Sequence, residues 1–337
     1  MSTPMLFVSD NTAPVHPQVW DAMRAADAPD APYDGDALSQ RLDAAFSALF
    51  DRECAVVWTS TGTAANCLAL ATLVPPYGGV VCHDDAHIEQ DEAGAPEFYT
   101  HGAKLMLAHG PHAKLTPENI AAVVDPIRDD VHRVQPCTIA ITQATEQGCT
   151  YTPGELATLT AYARAKGFSV HMDGARFANA VAHLGCSAAE AGPAHGIDTL
   201  TFGMIKNGAM GAEALILFDP AKAAEAKRRH KRAGQLQSKG RFLAAQLLAM
   251  LDGDLWLANA RAANAAATAI AGAAVHRLLY PCEANEVFVR CTAEERANLR
   301  DQGFVFYDWG PDAARFVAAW NTPAEAAQAL AKAIASL

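Results

Sequence analysis

The sequence predicts an α/β protein built on a mainly parallel β-sheet, with a small α+β unit at its carboxyl end. From about residue 54 to residue 218, short apolar runs alternate with helical patterns, which is typical of βαβ units. After Asp219-Pro220 a basic helix and an alanine-rich helix replace that alternation, and short strands return near the end. We therefore divide the chain into an amino-terminal arm (1–16), a large domain (17–245) and a small domain (246–337).

The composition is that of a globular protein and disfavours nucleic acid as a partner. The 337 residues are 51% hydrophobic and 19% charged, with a net charge of −11, and only the run 227–232 is strongly basic. A basic leader and an apolar run of about 18 residues are both missing from the sequence. The eight cysteines follow no CxxC pattern, which favours free thiols in a reducing compartment. We expect a cytoplasmic protein that binds neither nucleic acid nor membranes.

The first part of the chain contains one motif that could bind phosphate. An apolar stripe over residues 38–50 indicates a helix, and residues 54–58 read as a buried strand. The small-residue turn 59–66 and an apolar helix over 67–74 follow. A strand, a small-residue turn and a helix place backbone N–H groups where a phosphate can bind. An ordinary helix cap explains the same residues equally well, because the turn is neither a Walker loop nor GxGxxG.

Two further predicted strands deliver polar residues to their carboxyl ends. The strand 79–82 precedes a segment rich in His, Asp and Glu that contains His87. A metal site, a histidine stacked on a cofactor ring and a purely structural role all remain open for this segment. The strand 137–142 precedes Gln143-Ala-Thr-Glu146, and a lone glutamate in a turn is more often solvated than catalytic.

The stretch from His171 to Gly211 carries the most informative pair of residues. An apolar run over 168–172 ends in Asp173, and a second run over 199–203 is followed by Lys206. An acid that protonates a pyridine nitrogen and a lysine that forms a Schiff base are what a pyridoxal phosphate site requires. Each residue alone is weak evidence, since Asp-Gly often makes a turn and a lone lysine is usually solvated. The polar segments above, however, all follow predicted strands, where open α/β sheets bind ligands.

The carboxyl-terminal unit is predicted to contain strands near 286–291, 304–307 and 314–320, with helices between and after them. Thr322-Pro-Ala-Glu325 reads as a capping box for the last helix. Arg315 is unusual because it lies inside an otherwise apolar strand. It either meets a buried carboxylate or faces water on an edge strand.

Nine segments in one order resemble the low-specificity L-threonine aldolase family of fold-type I pyridoxal phosphate enzymes, and the resemblance covers nearly the whole chain. The nearest subgroup is a bacterial branch that includes phenylserine aldolases. The segments are SDN at Ser9, PYDGD around Tyr33, TGTAAN at Thr61, AHIEQDEAGAPEF at Ala86, HMDGARFANA at His171, FGMIKNG at Phe202, AGQLQSKGRFL at Ala233, EANEVFV at Glu283 and ARFVAAWNT at Ala314.

The resemblance assigns roles to the cofactor-binding residues. Lys206 would bind the cofactor as a Schiff base, Asp173 would pair with its ring nitrogen, and His87 would stack over the ring. Thr61, Gly62 and Thr63 would bind the phosphate.

The resemblance also assigns the substrate-binding residues. Arg176 would bond the ring hydroxyl side or the substrate carboxylate, and Arg315 with Ser9 would hold that carboxylate. Tyr33 and the segment containing Lys239 and Arg241 would reach in from a neighbouring subunit of a homodimer or homotetramer. No metal is implied.

Three departures from the family pattern affect the site. Where better-known members carry Glu-Asn-Thr-His, this chain has Gln143-Ala-Thr-Glu146, so Glu146 replaces a histidine near the substrate hydroxyl. The base for that hydroxyl is therefore open between His87, Glu146 and a water molecule. Ile205 also stands where Thr or Ser is usual, which removes one hydroxyl from the phosphate site. PYDGD departs from the commoner YGDD-like loop.

The expected activity is reversible retro-aldol cleavage of L-threonine, L-allo-threonine and related β-hydroxy-α-amino acids, phenylserine among them, to glycine and an aldehyde. The chain would thus be a pyridoxal phosphate-dependent carbon–carbon lyase. Transamination or β-elimination on the same fold is one alternative. A non-catalytic amino-acid-binding relative is another.

Overall fold

The computed structural model describes residues 4–337, and residues 1–3 of the predicted arm lie outside the described residues. It contains twelve strands within this range. They are β1 (Met5–Leu6), β2 (Ala55–Thr59), β3 (Gly78–His83), β4 (Lys104–Ala108), β5 (Gln135–Thr142), β6 (Ser169–Gly174), β7 (Thr199–Phe202), β8 (Glu213–Leu217), β9 (Glu286–Arg290), β10 (Phe304–Val305), β11 (Tyr307–Trp309) and β12 (Ala313–Val317).

Thirteen α-helices accompany these strands in the described part of the chain, joined by several one-turn 3-10 helices. They are α1 (Pro17–Ala25), α2 (Leu42–Phe50), α3 (Gly62–Leu73), α4 (His87–Gln90), α5 (Ala95–Tyr99), α6 (Pro117–Val124), α7 (Pro153–Lys166), α8 (Phe177–Leu184), α9 (Ala223–Arg232), α10 (Arg241–Leu251), α11 (Leu255–Ala273), α12 (Ala293–Asp301) and α13 (Ala324–Ala335).

A seven-stranded sheet organises the molecule, with the strand order β2-β8-β7-β6-β5-β3-β4. β8 runs antiparallel to both of its neighbours, whereas the pairs among β3 to β7 are parallel. Six of the seven strands therefore point the same way, and their carboxyl ends share one edge. The predicted α/β class with a mainly parallel sheet is confirmed.

Local sequence signals explain where several elements begin. Thr61 caps α3 by accepting a hydrogen bond from the N–H of Ala64 (3.1 Å), so this helix starts at Gly62 and not at residue 67 as predicted. Thr152 and Glu155 form a capping box at the start of α7. The predicted capping box at Thr322 is wrong: its hydroxyl accepts from the N–H of Ala319 (2.8 Å), and α13 begins later.

The helix α11 contributes to two apolar cores. Its first half, including Trp256 and Ala260, packs into the core beneath the large sheet, while its second half, including Ala267 and Ile270, packs against β9 and β12. Phe7 belongs to the second core, and β1 pairs with β10, so the start of the chain docks on its end. The division at 16/17 and 245/246 stays a prediction, and its second boundary falls within α10.

None of the helices between residues 4 and 337 is both long enough and apolar enough to cross a bilayer.

Candidate active site

A cleft of about 300 Å³ opens at the carboxyl edge of the large sheet. Eight of the predicted site residues line it together: Thr61, Gly62, Thr63, His87, Glu146, Asp173, Arg176 and Lys206. A larger groove of about 580 Å³ lies between α3, α5 and α9, and residues such as Phe98 and Arg228 line it. We place the active site in the smaller cleft because its polar groups come from five different strand ends and converge on one space.

The amino terminus of α3 forms one wall of the cleft. Thr61, Gly62 and Thr63 lie there, and a Cβ on Gly62 would meet no heavy atom within 4 Å, so open space lies in front of the backbone. Unpaired helix-terminal N–H groups and the positive end of the helix dipole favour an anion in such a space. This end of the cleft therefore suits a phosphate group, although Ile205 contributes no hydroxyl to it.

Asp173, at the end of β6, is held in a fixed orientation. Its Oδ1 accepts from the N–H of Ala175 (2.9 Å), and its Oδ2 accepts from the side-chain amide of Asn66 (2.7 Å). Asn66 is fixed in turn by Thr201, whose hydroxyl donates to its Oδ1 (2.8 Å). The carboxylate is 5% exposed and borders the cleft, as an acid facing a ring nitrogen requires.

His171 lies beneath this group and stays uncharged. Its ring nitrogens meet the hydroxyl of Thr199 (2.9 Å) and Oδ1 of Asn66 (3.1 Å). Burial lowers the pKa of His171 to about 4, against the opposing effect of Asp173. A neutral imidazole leaves the charge of Asp173 available to a ligand in the cleft.

His87 is connected to Asp173 through two intermediate side chains. Its Nδ1 lies 2.9 Å from Oε1 of Glu92, and that same oxygen accepts from Asn66 (3.0 Å). The hydrogen bond to Glu92 is the main reason that the pKa of His87 is raised, although partial burial opposes it. His87, Glu92 and Asp173 are also near enough to hold a cation, but each already has hydrogen-bond partners, since His87 pairs with Glu92 and Asn66 donates to both carboxylates.

Lys206 enters the cleft from a one-turn 3-10 helix that follows β7. Its charge lowers the pKa of Asp10 and opposes the raised pKa values of Glu146 and Glu213, so several acids surround the amine. A lysine that enters an enclosed space beside acids and a phosphate-binding helix terminus fits a carbonyl cofactor such as pyridoxal phosphate.

Glu146 projects into the same cleft from the loop after β5. Its Oε1 accepts from the N–H of His87 (2.9 Å) and lies 3.4 Å from the hydroxyl of Thr142. Burial, together with the nearby carboxylates of Asp173 and Glu286, raises the pKa of Glu146 to about 7. A carboxyl group with this pKa can both accept and release a proton near neutral pH.

Arg176 and Arg315 belong to a chain of alternating charges beside the cleft. Arg176 is paired with Asp10, and its Nη1 lies 3.4 Å from Oε2 of Glu286. Oε1 of Glu286 accepts from Nε of Arg315 (3.1 Å) and also from its Nη2. The prediction that Arg315 meets a buried carboxylate is confirmed, and Glu286 is that carboxylate.

Three of the predicted substrate-binding residues do not line the cleft. Ser9 caps the turn at Asp10 by accepting from the N–H of Asn11 (3.1 Å), and Asn11 lines the cleft instead. Arg315 reaches the site through Glu286. Tyr33 is 38% exposed on the outer surface and lies beside Lys239.

The sequence interpretation missed four residues that hold the site together: Asn66, Glu92, Glu213 and Glu286. Asn66 and Glu92 lie within the quoted segments TGTAAN and AHIEQDEAGAPEF, and Glu286 lies within EANEVFV. The signal was therefore present as a polar residue inside an apolar or small-residue run. Glu213 begins an otherwise apolar strand, which is a comparable signal.

Comparisons with known proteins identify the family and the fold of this chain. Residues 7–294 match the family described as beta-eliminating lyase. A low specificity L-threonine aldolase of Pseudomonas aeruginosa is 41% identical over 332 residues, which cover 97% of this chain and 96% of that protein. The structure of a Leishmania major threonine aldolase superposes with a TM-score of 0.93 at 26% identity, covering 98% of each chain. A serine palmitoyltransferase from S. paucimobilis with bound PLP shares the fold alone, with a TM-score of 0.73, 15% identity, and coverage of 99% of this chain and 87% of that chain.

Proposed function

We propose a reaction for this chain on the ground of its family. It belongs to the low-specificity L-threonine aldolases, within the beta-eliminating lyase family of fold-type I pyridoxal phosphate enzymes. It is a pyridoxal phosphate-dependent lyase that cleaves L-threonine to glycine and acetaldehyde, and L-allo-threonine and phenylserine belong to the same substrate class. The observation that carries this conclusion is the meeting of Lys206, Asp173 and the amino terminus of α3 in one cleft.

The residues of the cleft fit the cofactor in charge and in position. Thr61, Gly62 and Thr63 would hold its phosphate, and Asp173 would hold its ring nitrogen protonated. His87 would cover one face of the ring, and Lys206 would bind it covalently. When bound, pyridoxal phosphate supplies the electron sink for the bonding pair that is released when the Cα–Cβ bond breaks. Arg176, which is held by Asp10 and also lies beside Glu286, borders the cleft and would serve the ring hydroxyl side or the substrate carboxylate.

Glu146 would accept the proton of the substrate β-hydroxyl. Its raised pKa, to about 7, leaves a substantial carboxylate fraction at neutral pH, and its Oε1 is already oriented by the N–H of His87. His87 is a weaker candidate because its hydrogen bond to Glu92 raises its pKa and favours the protonated imidazole. A protonated imidazole donates a proton and does not accept one.

Arg315, with Ser9, would hold the substrate carboxylate and so fix the Cα–Cβ bond relative to the cofactor ring. Its Nε and Nη2 are used by Glu286, so its Nη1 is the nitrogen that would remain for that carboxylate. Glu286 thereby fixes the guanidinium of Arg315.

A neighbouring copy of the chain would complete the site. Tyr33 does not line its own cleft, is 38% exposed and lies against Lys231, whose amine is 4.8 Å from the ring centroid. These features suit residues that serve a neighbouring cleft in a homodimer or homotetramer.

The eight free cysteines suit a reducing compartment, and we place the enzyme in the cytoplasm on that ground.

Product analysis separates this reaction from the other activities of the fold. The purified enzyme with pyridoxal phosphate is incubated with L-threonine, L-allo-threonine and phenylserine, and separately with an amino acid and a 2-oxo acid. Equal amounts of glycine and aldehyde are expected from the hydroxy amino acids. Ammonia and a 2-oxo acid from threonine would instead indicate β-elimination, and a new amino acid from the 2-oxo acid would indicate transamination.

A further inference from the structure

We propose that Glu213 is a positioning residue for Lys206, because its buried carboxyl group anchors the backbone immediately before the lysine. This inference rests on the proposed function, in which Lys206 binds the cofactor. It assigns to Glu213 no direct part in proton transfer.

The position of Glu213 in the sheet places its carboxyl group under the lysine turn. Glu213 is the first residue of β8 and pairs with Thr59, the last residue of β2, at the edge of the sheet where the cleft opens. Phe202, the last residue of β7, pairs with Ala214 in the same sheet. The connection between β7 and β8 thus leaves and re-enters the sheet beside Glu213, and Lys206 lies on that connection.

The carboxyl group of Glu213 takes the place of a helix cap. The one-turn helix Ile205–Asn207 begins after Met204, which provides no side-chain cap of its own. Oε2 of Glu213 accepts from the N–H of Met204, and the nearby N–H of Ile205 acts to lower the pKa of the same carboxyl group against the effect of its burial. The N–H group of Met204, which would otherwise be unpaired in a buried turn, is satisfied in this way.

The other side of the lysine is anchored by a different element. The side chain of Asn207 donates to the carbonyl of Trp256 (2.7 Å), and the side chain of Asn259 donates to the carbonyl of Asn207 (2.8 Å). Lys206 therefore projects from a turn that is fixed by β8 before it and by α11 after it. A displacement of about 1 Å at such a residue can cost about a hundredfold in rate.

Glu213 serves this purpose as a hydrogen-bond acceptor, and its charge is not needed. It is 5% exposed, and its burial raises its pKa to about 8, so the group is largely neutral at pH 7. Glutamine offers a neutral acceptor oxygen at the same reach. We therefore expect Glu213→Gln to keep the lysine in position and Glu213→Leu to release it.

The chain offers a matched control on the same connection. Oε1 of Gln246 accepts from the N–H groups of Met210 and Gly211 (2.9 and 3.0 Å). Gln246→Leu therefore removes a buried side-chain acceptor from the part of the connection that follows the lysine.

The experiment compares Glu213→Gln, Glu213→Leu and Gln246→Leu in three measurements: the visible circular dichroism of bound pyridoxal phosphate, the Kd of the cofactor, and kcat and KM for L-threonine. Glu213→Gln should stay within about threefold of the parent enzyme in all constants. Glu213→Leu should weaken the dichroic signal, raise the Kd for pyridoxal phosphate and lower kcat at least tenfold, with KM little changed. Gln246→Leu should lose thermal stability while its bound cofactor keeps the parent dichroic signal.

Two results would overturn the proposal. One is a Glu213→Leu enzyme with the cofactor signal and kcat of Gln246→Leu. The other is a Glu213→Gln enzyme as impaired as Glu213→Leu, since the charge would then matter. If Glu213→Leu does not fold, Glu213→Asp replaces it, because the shorter side chain does not reach the N–H of Met204. The dichroism and Kd measurements need no turnover, so they test Glu213 even if threonine is not the substrate.

Discussion

Arg176 and Asp10 form a two-pronged ion pair in the interior, with Nε 2.8 Å from Oδ2 and Nη2 3.1 Å from Oδ1. Asp10 is 1% exposed and Arg176 is 7% exposed. The pair ties the amino-terminal segment to the residue that precedes α8, and it leaves Nη1 of Arg176 facing Glu286. Although burial raises the pKa of Asp10, Arg176 and Lys206 more than offset that effect, so the pKa is lowered.

Asp10→Asn is expected to destabilise the fold strongly. The substitution leaves the buried guanidinium of Arg176 without its closest counter-charge, and breaking a buried pair in this way costs about 3–5 kcal/mol. Urea unfolding of the protein at pH 7 measures the loss. Asp21→Asn, at the exposed Asp21–Arg24 pair, is the control and should change little.

The same ion pair predicts a direction of pH dependence. Because the pKa of Asp10 is lowered in the folded state, its contribution is present above the unfolded pKa of 3.8 and is lost as the pH falls through the folded value. The difference in stability between the parent and Asp10→Asn should therefore shrink in strong acid. A difference that is constant down to the lowest accessible pH would contradict this role.

Glu146→Gln should lower kcat by about 10²–10⁴-fold, the range expected for the loss of a general base. The pKa of Glu146 is raised to about 7, so the parent kcat should rise with pH through that value as the carboxylate forms. This limb should vanish in Glu146→Gln and persist in Glu146→Asp. A pH profile of glycine release measures it, and an unchanged limb in Glu146→Gln would assign the base elsewhere.

Glu92→Gln should lower the pKa of His87, because the hydrogen bond to Glu92 contributes most to raising it. NMR titration of the imidazole in the cofactor-free protein measures the change. A raised histidine pKa stabilises the fold below the unfolded pKa of about 6.5, and that contribution is lost as the pH rises through the folded value. The parent should thus lose more stability than Glu92→Gln as the pH rises from below about 6.5 through the folded pKa of His87.

Arg315→Ala should leave the cofactor bound while activity collapses. Losing a charge-assisted hydrogen bond of about 1.5–3 kcal/mol corresponds to roughly a 10- to 150-fold lower kcat/KM. Kinetics with L-threonine and the absorbance of bound pyridoxal phosphate are measured together. Arg277→Ala, which breaks the peripheral pair with Glu295, is the control. Loss of cofactor from Arg315→Ala would show that this arginine serves another purpose.

The sequence was sufficient to predict residues that follow strands of one parallel sheet. Asp173 lies at the end of β6 and Lys206 shortly follows β7, and parallel strands bring such positions to one edge whatever the details of packing. Thr61 and Glu146 were predicted on the same ground. The alternation of strands and helices also predicted the fold class correctly.

The sequence could not identify partners that depend on the pairing of distant elements. Glu286 meets Arg315 because β9 and β12 are antiparallel neighbours, a register that no local pattern specifies. Glu213 supports Lys206 because β8 runs against its neighbours, so its first residue, and not its last, lies at the site. Asn66, which lies on α3, donates to both Asp173 and Glu92. In the sequence it looks like an ordinary residue of a helix.

The proposed reaction requires Lys206 to hold pyridoxal phosphate during the cleavage of L-threonine. The most direct test compares the parent enzyme with Lys206→Ala in the visible absorbance of the cofactor-loaded protein and in glycine formation from L-threonine. The parent should show a visible band and release glycine and acetaldehyde in equal amounts, while Lys206→Ala should lose both the band and the products. A Lys206→Ala enzyme that keeps its visible band and its glycine release would contradict this role of Lys206.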